Sequence, residues 1–239
     1  MIYRKNRFFC LPAVVLTIAL MSGCVGQSEE TKMHRTEKSI IAAIGSETGG
    51  LDPAGNIANT FLTYSVSALD ELLTFDEDGN IEYRAAKSYE VNEDYTQWTF
   101  HLREDAHWSD GTPVTASDFL NTIKRALNSE SGSGYSSYLF PIEHAEEIYQ
   151  GEMDMESLGV ETPDDDTILF HLKEPCVYFL QLLRLPVYMP SCGRHADAAD
   201  SGWDKRPETS LSNGPFYLEE YVAGQYFVLK KNENYWNAE

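Results

Sequence analysis

Apolar and polar side chains alternate strictly from Trp98 to Arg103: Trp98, Phe100 and Leu102 fall on one face, Thr99, His101 and Arg103 on the other. A period of two is the mark of a half-buried strand. Ser109-Asp110-Gly111-Thr112-Pro113 follows as a dense turn signal, with Gly111 free to take positive φ and Pro113 presetting the exit. Thr115 then fits an N-cap, with Asp118 three residues on in a capping-box arrangement. Phe119, Leu120, Ile123 and Leu127 supply a helical apolar face. The stretch from Trp98 to Phe119 thus reads strand, turn, strand, turn, helix. The same reasoning predicts strands over Ser39–Ile44, Gln97–Leu102, Thr167–Leu172, Gly214–Tyr221 and Tyr226–Lys230. It predicts helices over Thr60–Leu73, Ala116–Leu127, Pro141–Gln150 and Tyr178–Leu185. Mixed order with scattered hairpins implies α+β rather than regular βαβ winding.

Motifs that would carry catalysis or metal fall short when their spacing is checked. Asp76-Glu77-Asp78-Gly79-Asn80 resembles a calcium loop, but its glycine is in the fourth position and no glutamate stands at the twelfth. A hairpin turn is the better reading. Pro163-Asp164-Asp165-Asp166 reads as a turn with exposed carboxylates. The histidines, including His101, His107, His144 and His171, show no HxxxH or HExxH spacing, and His101 and His171 lie on the polar faces of strands. Ser131-Gly132-Ser133-Gly134 lacks the frame of a nucleophile elbow. Without an assembled nucleophile and base, the sequence reads as a non-enzyme, with no cofactor and no metal site.

Charge and the chain's first residues bear on compartment. Arg4, Lys5 and Arg7 precede an apolar run from Phe8 to Met21, followed by Ser22-Gly23-Cys24. This is the order of a secretory signal. The 14 residues of the run are fewer than the roughly 20 that span a bilayer. Cys24 after Ser-Gly resembles a bacterial lipobox, with Met21 where Leu is usual, and would be the lipid-modified residue. Residues 1–23 form the signal and 24–38 a polar, flexible tether. The formal charge is −20, and beyond residue 23 there are 15 basic against 38 acidic side chains. Such a surface disfavours nucleic acid and anionic lipid. Abundant aromatics, with 14 Tyr, 11 Phe and 4 Trp, exclude a disordered composition. Cys176 and Cys192 remain once Cys10 and Cys24 are accounted for. Outside the cytoplasm they could pair as a disulfide or stay as free thiols.

Trp98 to Phe119 closely resembles the signature of the peptide-binding (oligopeptide and dipeptide) solute-binding proteins that serve bacterial ABC importers. Ser46-Glu47-Thr48-Gly49-Gly50-Leu51-Asp52-Pro53 is similar to the family's opening strand and turn, and Ala68-Leu69-Asp70-Glu71-Leu72-Leu73 stands where it has a Leu-Phe-Glu-Gly-Leu-like helix. Tyr135-Ser136-Ser137-Tyr138-Leu139, Leu158-Gly159-Val160, Ser212-Asn213-Gly214-Pro215-Phe216-Tyr217-Leu218 and Lys230-Lys231-Asn232-Glu233-Asn234-Tyr235-Trp236 follow in the family's order. The resemblance spans Ile40 to Trp236.

The resemblance implies a periplasmic-binding-protein-like α+β fold, type II in its peptide-binder variant. It implies the first lobe in two pieces, 39–70 and 193–239, with an extra domain at 71–192, and a second lobe that this stretch does not reach. The chain would then be a partial form of a lipid-anchored, extracytoplasmic binding component. Its partners would be an oligopeptide, the ABC permease subunits and the membrane through Cys24, and the complete protein would be a monomer. Ile57, Ala58 and Asn59 would pair through their backbone with a peptide as an added strand, and Tyr135 would reach it from the extra domain. The family's charged partners for the peptide termini would lie in the second lobe, so this chain alone would bind peptide weakly. Relatives that take nickel, haem, sugars or pheromone peptides, or a non-transport surface module on the same scaffold, are the alternatives.

Overall fold

The computed structural model describes residues 39–43, 50–55, 59–196 and 202–238. The expectations for the signal, the tether, Cys24, Ile44, Ile57 and Ala58 lie outside these residues. In chain order the elements are β1 (Ser39–Ala43), α1 (Asn59–Ala68), β2 (Leu73–Phe75), β3 (Ile81–Tyr83), β4 (Ala86–Val91) and β5 (Gln97–Leu102). There follow α2 (Ala116–Leu127), α3 (Ala145–Tyr149), β6 (Val160–Asp164), β7 (Thr167–His171), α4 (Phe179–Leu182), α5 (Gly193–Ala196), β8 (Phe216–Val222) and β9 (Tyr226–Lys231). Short 3-10 turns punctuate the connections.

Two antiparallel sheets organise the chain. One has the order β4-β5-β7-β6, the other β1-β9-β8, and β2 and β3 form a separate hairpin. The period-two face of β5 is the reason the larger sheet buries one side: Trp98, Phe100 and Leu102 are all buried. Phe100 meets Phe170 of β7 edge-on at 5.9 Å, and Trp98 lies 5.7 Å from Phe179 of α4. Helix α2 covers this core with Phe119, Ile123, Ala126 and Leu127. A second cluster joins Phe61, Tyr64 and Ala68 of α1 to Leu218, Phe227 and Leu229 of β8 and β9.

Local chemistry sets the ends of α2 as the sequence implies. Thr115 N donates to Asp118 Oδ2 at 2.9 Å, the reciprocal half of a capping box. Asp118 does more than cap, since its Oδ2 also accepts from Trp108 Nε1 at 3.1 Å and its Oδ1 from Gly193 N at 3.1 Å. The acidic loop 76–80 closes the β2–β3 hairpin, with Asp76 Oδ1 accepting from Asp78 N and Asn80 N and Gly79 at φ 83°.

Three helices are shorter than their patterns imply. Helix α1 stops at Ala68, and Leu73 begins a strand, because Asn213 takes over the chain there. Its Oδ1 accepts from Asp70 N, its Nδ2 donates to Asp70 O, and Gly214 N donates to Ala68 O. The helix expected over Pro141–Gln150 shrinks to α3 because Ile142 bridges to Leu172 and Glu143 N donates to His171 O. Only Phe179–Leu182 is helical in the fourth, where Pro186 opens a 3-10 turn just downstream. Strands β2, β3, β4 and β6 carry no decisive alternation in sequence and add to the expected set.

Candidate functional site

The segment that leads into α1 is fixed by a charged clamp. Arg125 of α2 grips Asp52 with both terminal nitrogens, Nη2 at 2.8 Å from Oδ1, and also donates to Ser191 Oγ at 3.0 Å. Asp52 folds its own turn by accepting from Ala54 N at 2.9 Å, while its carbonyl accepts from Gly55 N at 3.1 Å. Leu51 N is held by Asp204 Oδ2 at 2.6 Å. Leu51-Asp52-Pro53 is thereby pinned to α2 and to Asp204, and α1 begins at Asn59.

Beyond that point α1 presents apolar side chains to solvent. Leu62 is 45% and Val66 80% exposed. At (i, i+4) they share one face of the helix. They border a cavity of about 340 Å³ completed by Ser65, Leu69, Asp70, Glu71, Thr74, Arg84, Arg184, Pro186, Met189 and Pro215. Its volume lies at the small end of the range for ligand sites, roughly 300–1,000 Å³.

Asp70 is the most perturbed acid at this cavity. Its Oδ2 accepts from Trp236 Nε1 at 3.0 Å, and its main chain is held on both sides by Asn213. Burial raises its pKa to about 6, against the lowering influence of hydrogen bonds from Trp236 and Tyr235 and of the Arg84 charge. Trp236 is itself covered by the Arg103 guanidinium, 3.3 Å from the ring centre. The Asn-Tyr-Trp stretch therefore locks the chain's last described segment onto residues 70–103. In the sequence, Asp70, Tyr235 and Trp236 stand out only as parts of a resemblance; an acid between apolar Leu69 and Leu72 was the available signal.

Of the residues singled out from sequence, the structure describes Asn59, Tyr135, Cys176 and Cys192. Asn59 opens α1. Tyr135 is half-buried against the larger core, and its ring meets Tyr138 at 5.6 Å. Ile57, Ala58 and Cys24 lie outside the described residues. Cys176 and Cys192 are not joined: both are buried free thiols. Cys176 sits beside Tyr178 and Cys192 beside Arg194, and burial pushes both thiol pKa values up. His101 and His171 face acids on neighbouring strands, Glu90 at 4.0 Å and Glu161 at 2.9 Å, as polar-face residues should.

Residues 80–239 match the family described as bacterial extracellular solute-binding proteins, family 5 Middle. The chain belongs to this family. Among curated relatives of this solute-binding family, the periplasmic oligopeptide-binding protein OppA of Escherichia coli (strain K12) is 34% identical over 232 residues, covering 95% of this chain and 42% of that protein. The probable deoxycholate-binding periplasmic protein YgiS of Escherichia coli (strain K12) is 32% identical over 200 residues, covering 81% and 36%. The substrate-binding domain of the oligopeptide ABC transporter from Bacillus anthracis str. Ames superposes with a TM-score of 0.76 at 31% identity. That superposition covers 82% of this chain and 38% of that one. The chain thus spans about two-fifths of the length of the relatives it matches. Its α+β fold is periplasmic-binding-protein-like and resembles the first lobe of peptide binders of this kind.

Proposed function

We infer that this chain supplies first-lobe and extra-domain structure to the extracytoplasmic peptide-binding component of an ABC importer, acting by binding rather than catalysis. The observation that carries the reading is the pinned Leu51-Asp52-Pro53 turn delivering the chain to α1, whose outer face borders a cavity. The names of the similar oligopeptide binders, and their overlap with nearly the whole chain, support it. The division of the core into two clusters supports first-lobe pieces at 39–70 and 193–239 around an extra domain at 71–192. In this reading the backbone of Ile57, Ala58 and Asn59 receives a peptide as an added strand. Tyr135 contacts the peptide from the extra domain, and a second lobe closes over it. The Ser22-Gly23-Cys24 ending supports an anchor through a lipid on Cys24, with the permease subunits as partners in the membrane.

One wall of a cleft grips weakly, because strand-type hydrogen bonds made in water are worth on the order of 1 kcal/mol each. They must also offset the ordering of a flexible peptide. Titration calorimetry with tri- to pentapeptides tests the reading: weak binding by the 239-residue chain and much tighter binding by a form carrying a second lobe is the expected result. Deoxycholate belongs in the same titration because of the 32% identical relative. Binding of deoxycholate in place of peptides would overturn the peptide assignment.

A further inference from the structure

We propose that the cavity beside α1 is a subsite for a zwitterionic α-amino carboxylate, a free amino acid or a very short peptide, with Arg184 meeting the carboxylate and Glu71 the ammonium. The proposal rests on the peptide-binding reading above and names the ligand chemistry of the same face. Four ionisable side chains line the cavity: Asp70, Glu71, Arg84 and Arg184. Two of them are engaged within the protein. Asp70 accepts from Trp236, and Arg84 pairs with Glu82 at 3.3 Å and interacts with Asp70 and Tyr235. Among the described residues neither Arg184 nor Glu71 forms an ion pair, and the guanidinium of Arg184 lies 5.9 Å from the Phe75 ring centre.

One cation and one anion with no ion-pair partner among the described residues therefore share a cavity whose remaining wall is largely apolar, from Leu62, Val66, Leu69, Pro186 and Met189. That combination fits a ligand with two opposite charges and a hydrocarbon side chain. A simple anion would meet the repulsion of Asp70 and Glu71, and a simple cation that of Arg84 and Arg184. Both charges are mounted on fixed backbone. Glu71 O accepts from Ala85 N at 3.1 Å, and Arg184 follows fully buried Leu183 and precedes the Pro186 turn. Leu62 stands three residues into α1 from Asn59, about 4.5 Å along the axis at 1.5 Å per residue, so the subsite continues the segment inferred to receive a peptide.

Ligand-observed NMR on the full chain tests this with leucine, leucyl-leucine, N-acetyl-leucine and leucinamide as probes. Leucine or leucyl-leucine should bind, the preferred one reporting the length the subsite takes. Blocking either charged end should weaken binding about tenfold or more, the worth of one charge-assisted hydrogen bond. Arg184→Gln should erase the penalty for amidation and Glu71→Gln the penalty for acetylation, while Arg184→Lys retains part of the discrimination. Both side chains reach solvent, so these variants should keep the wild-type circular dichroism. Equal binding of blocked and free probes, or discrimination unchanged in both Gln variants, overturns the proposal. If longer peptides bind while neither zwitterion binds or competes, the subsite falls and the peptide-binding reading stands; if no peptide or amino acid binds, both fall.

Discussion

Asp70→Asn offers the sharpest test of the physics at the junction of the two cores. Asp70 is 5% exposed, and burial, as the largest influence, raises its pKa from an ordinary 3.8 to about 6. The folded state thus binds this proton more tightly than the unfolded chain. The stability linked to Asp70 is fully present below about pH 3.8 and is lost as pH rises through about 6. A rise from 3.8 to about 6 corresponds to about 3 kcal/mol between the protonation states. The amide introduced by Asp70→Asn cannot ionise, and its oxygen can still accept from Trp236 Nε1, so the variant removes this pH-linked cost and keeps that hydrogen bond. Urea unfolding followed by Trp fluorescence, run on both proteins from about pH 3.5 to 7.5, isolates the linkage. The variant's stability relative to wild type should climb by about 3 kcal/mol across that range. The slope matters rather than the offset, since any constant cost of the new amide group cancels from it. Parallel curves would refute the reasoning and mean that Asp70 titrates in the fold as it does in the unfolded chain, near 3.8.

Other outcomes follow from particular contacts. Phe100→Ala empties a fully buried site against Phe170 and should cost ~3–5 kcal/mol in urea unfolding. Asp52→Ala leaves Arg125, whose Nε has no acceptor among the described residues, without its carboxylate; a loss of about 2 kcal/mol is expected, measured against Asp52→Asn, which should lose less. Gly214→Ala would place a Cβ 2.7 Å from the Ala68 carbonyl carbon and 2.9 Å from Leu69 N. It should cost roughly 1–3 kcal/mol, whereas Gly134→Ala, with open space around it, should be nearly silent in the same thermal melt. Labelled palmitate should enter the wild-type chain in bacteria and not Cys24→Ser; equal labelling would end the lipid-anchor proposal.

Wherever the information was short-range, the sequence could be read directly. The alternation of Trp98, Phe100 and Leu102 fixed which face of β5 is buried, because side-chain direction in a strand flips every residue. Thr115 and Asp118 fixed where α2 starts, because a cap needs only an acceptor three residues from its donor. The loop 76–80 was legible as a turn because Asp76 organises its neighbours and Gly79 alone can take positive φ cheaply. The family resemblance came from the same kind of local strings.

Side chains far apart in sequence settled the rest. Ala68 ends α1 because Asn213, 143 residues beyond Asp70, satisfies Asp70's backbone groups outside the helix. Cys176 and Cys192 looked as ready to pair as to stay apart, and in the fold they are two buried free thiols, one beside Tyr178 and the other beside Arg194. The Asp52–Arg125 clamp and the Asp70–Trp236 lock join residues separated by 73 and 166 positions. Periodicity and capping rules act over one or two turns, so they specify elements. Burial and charge pairing depend on which elements meet, so the cavity beside α1, the raised pKa of Asp70 and the meeting of Glu71 and Arg184 in that cavity existed only once the chain had folded.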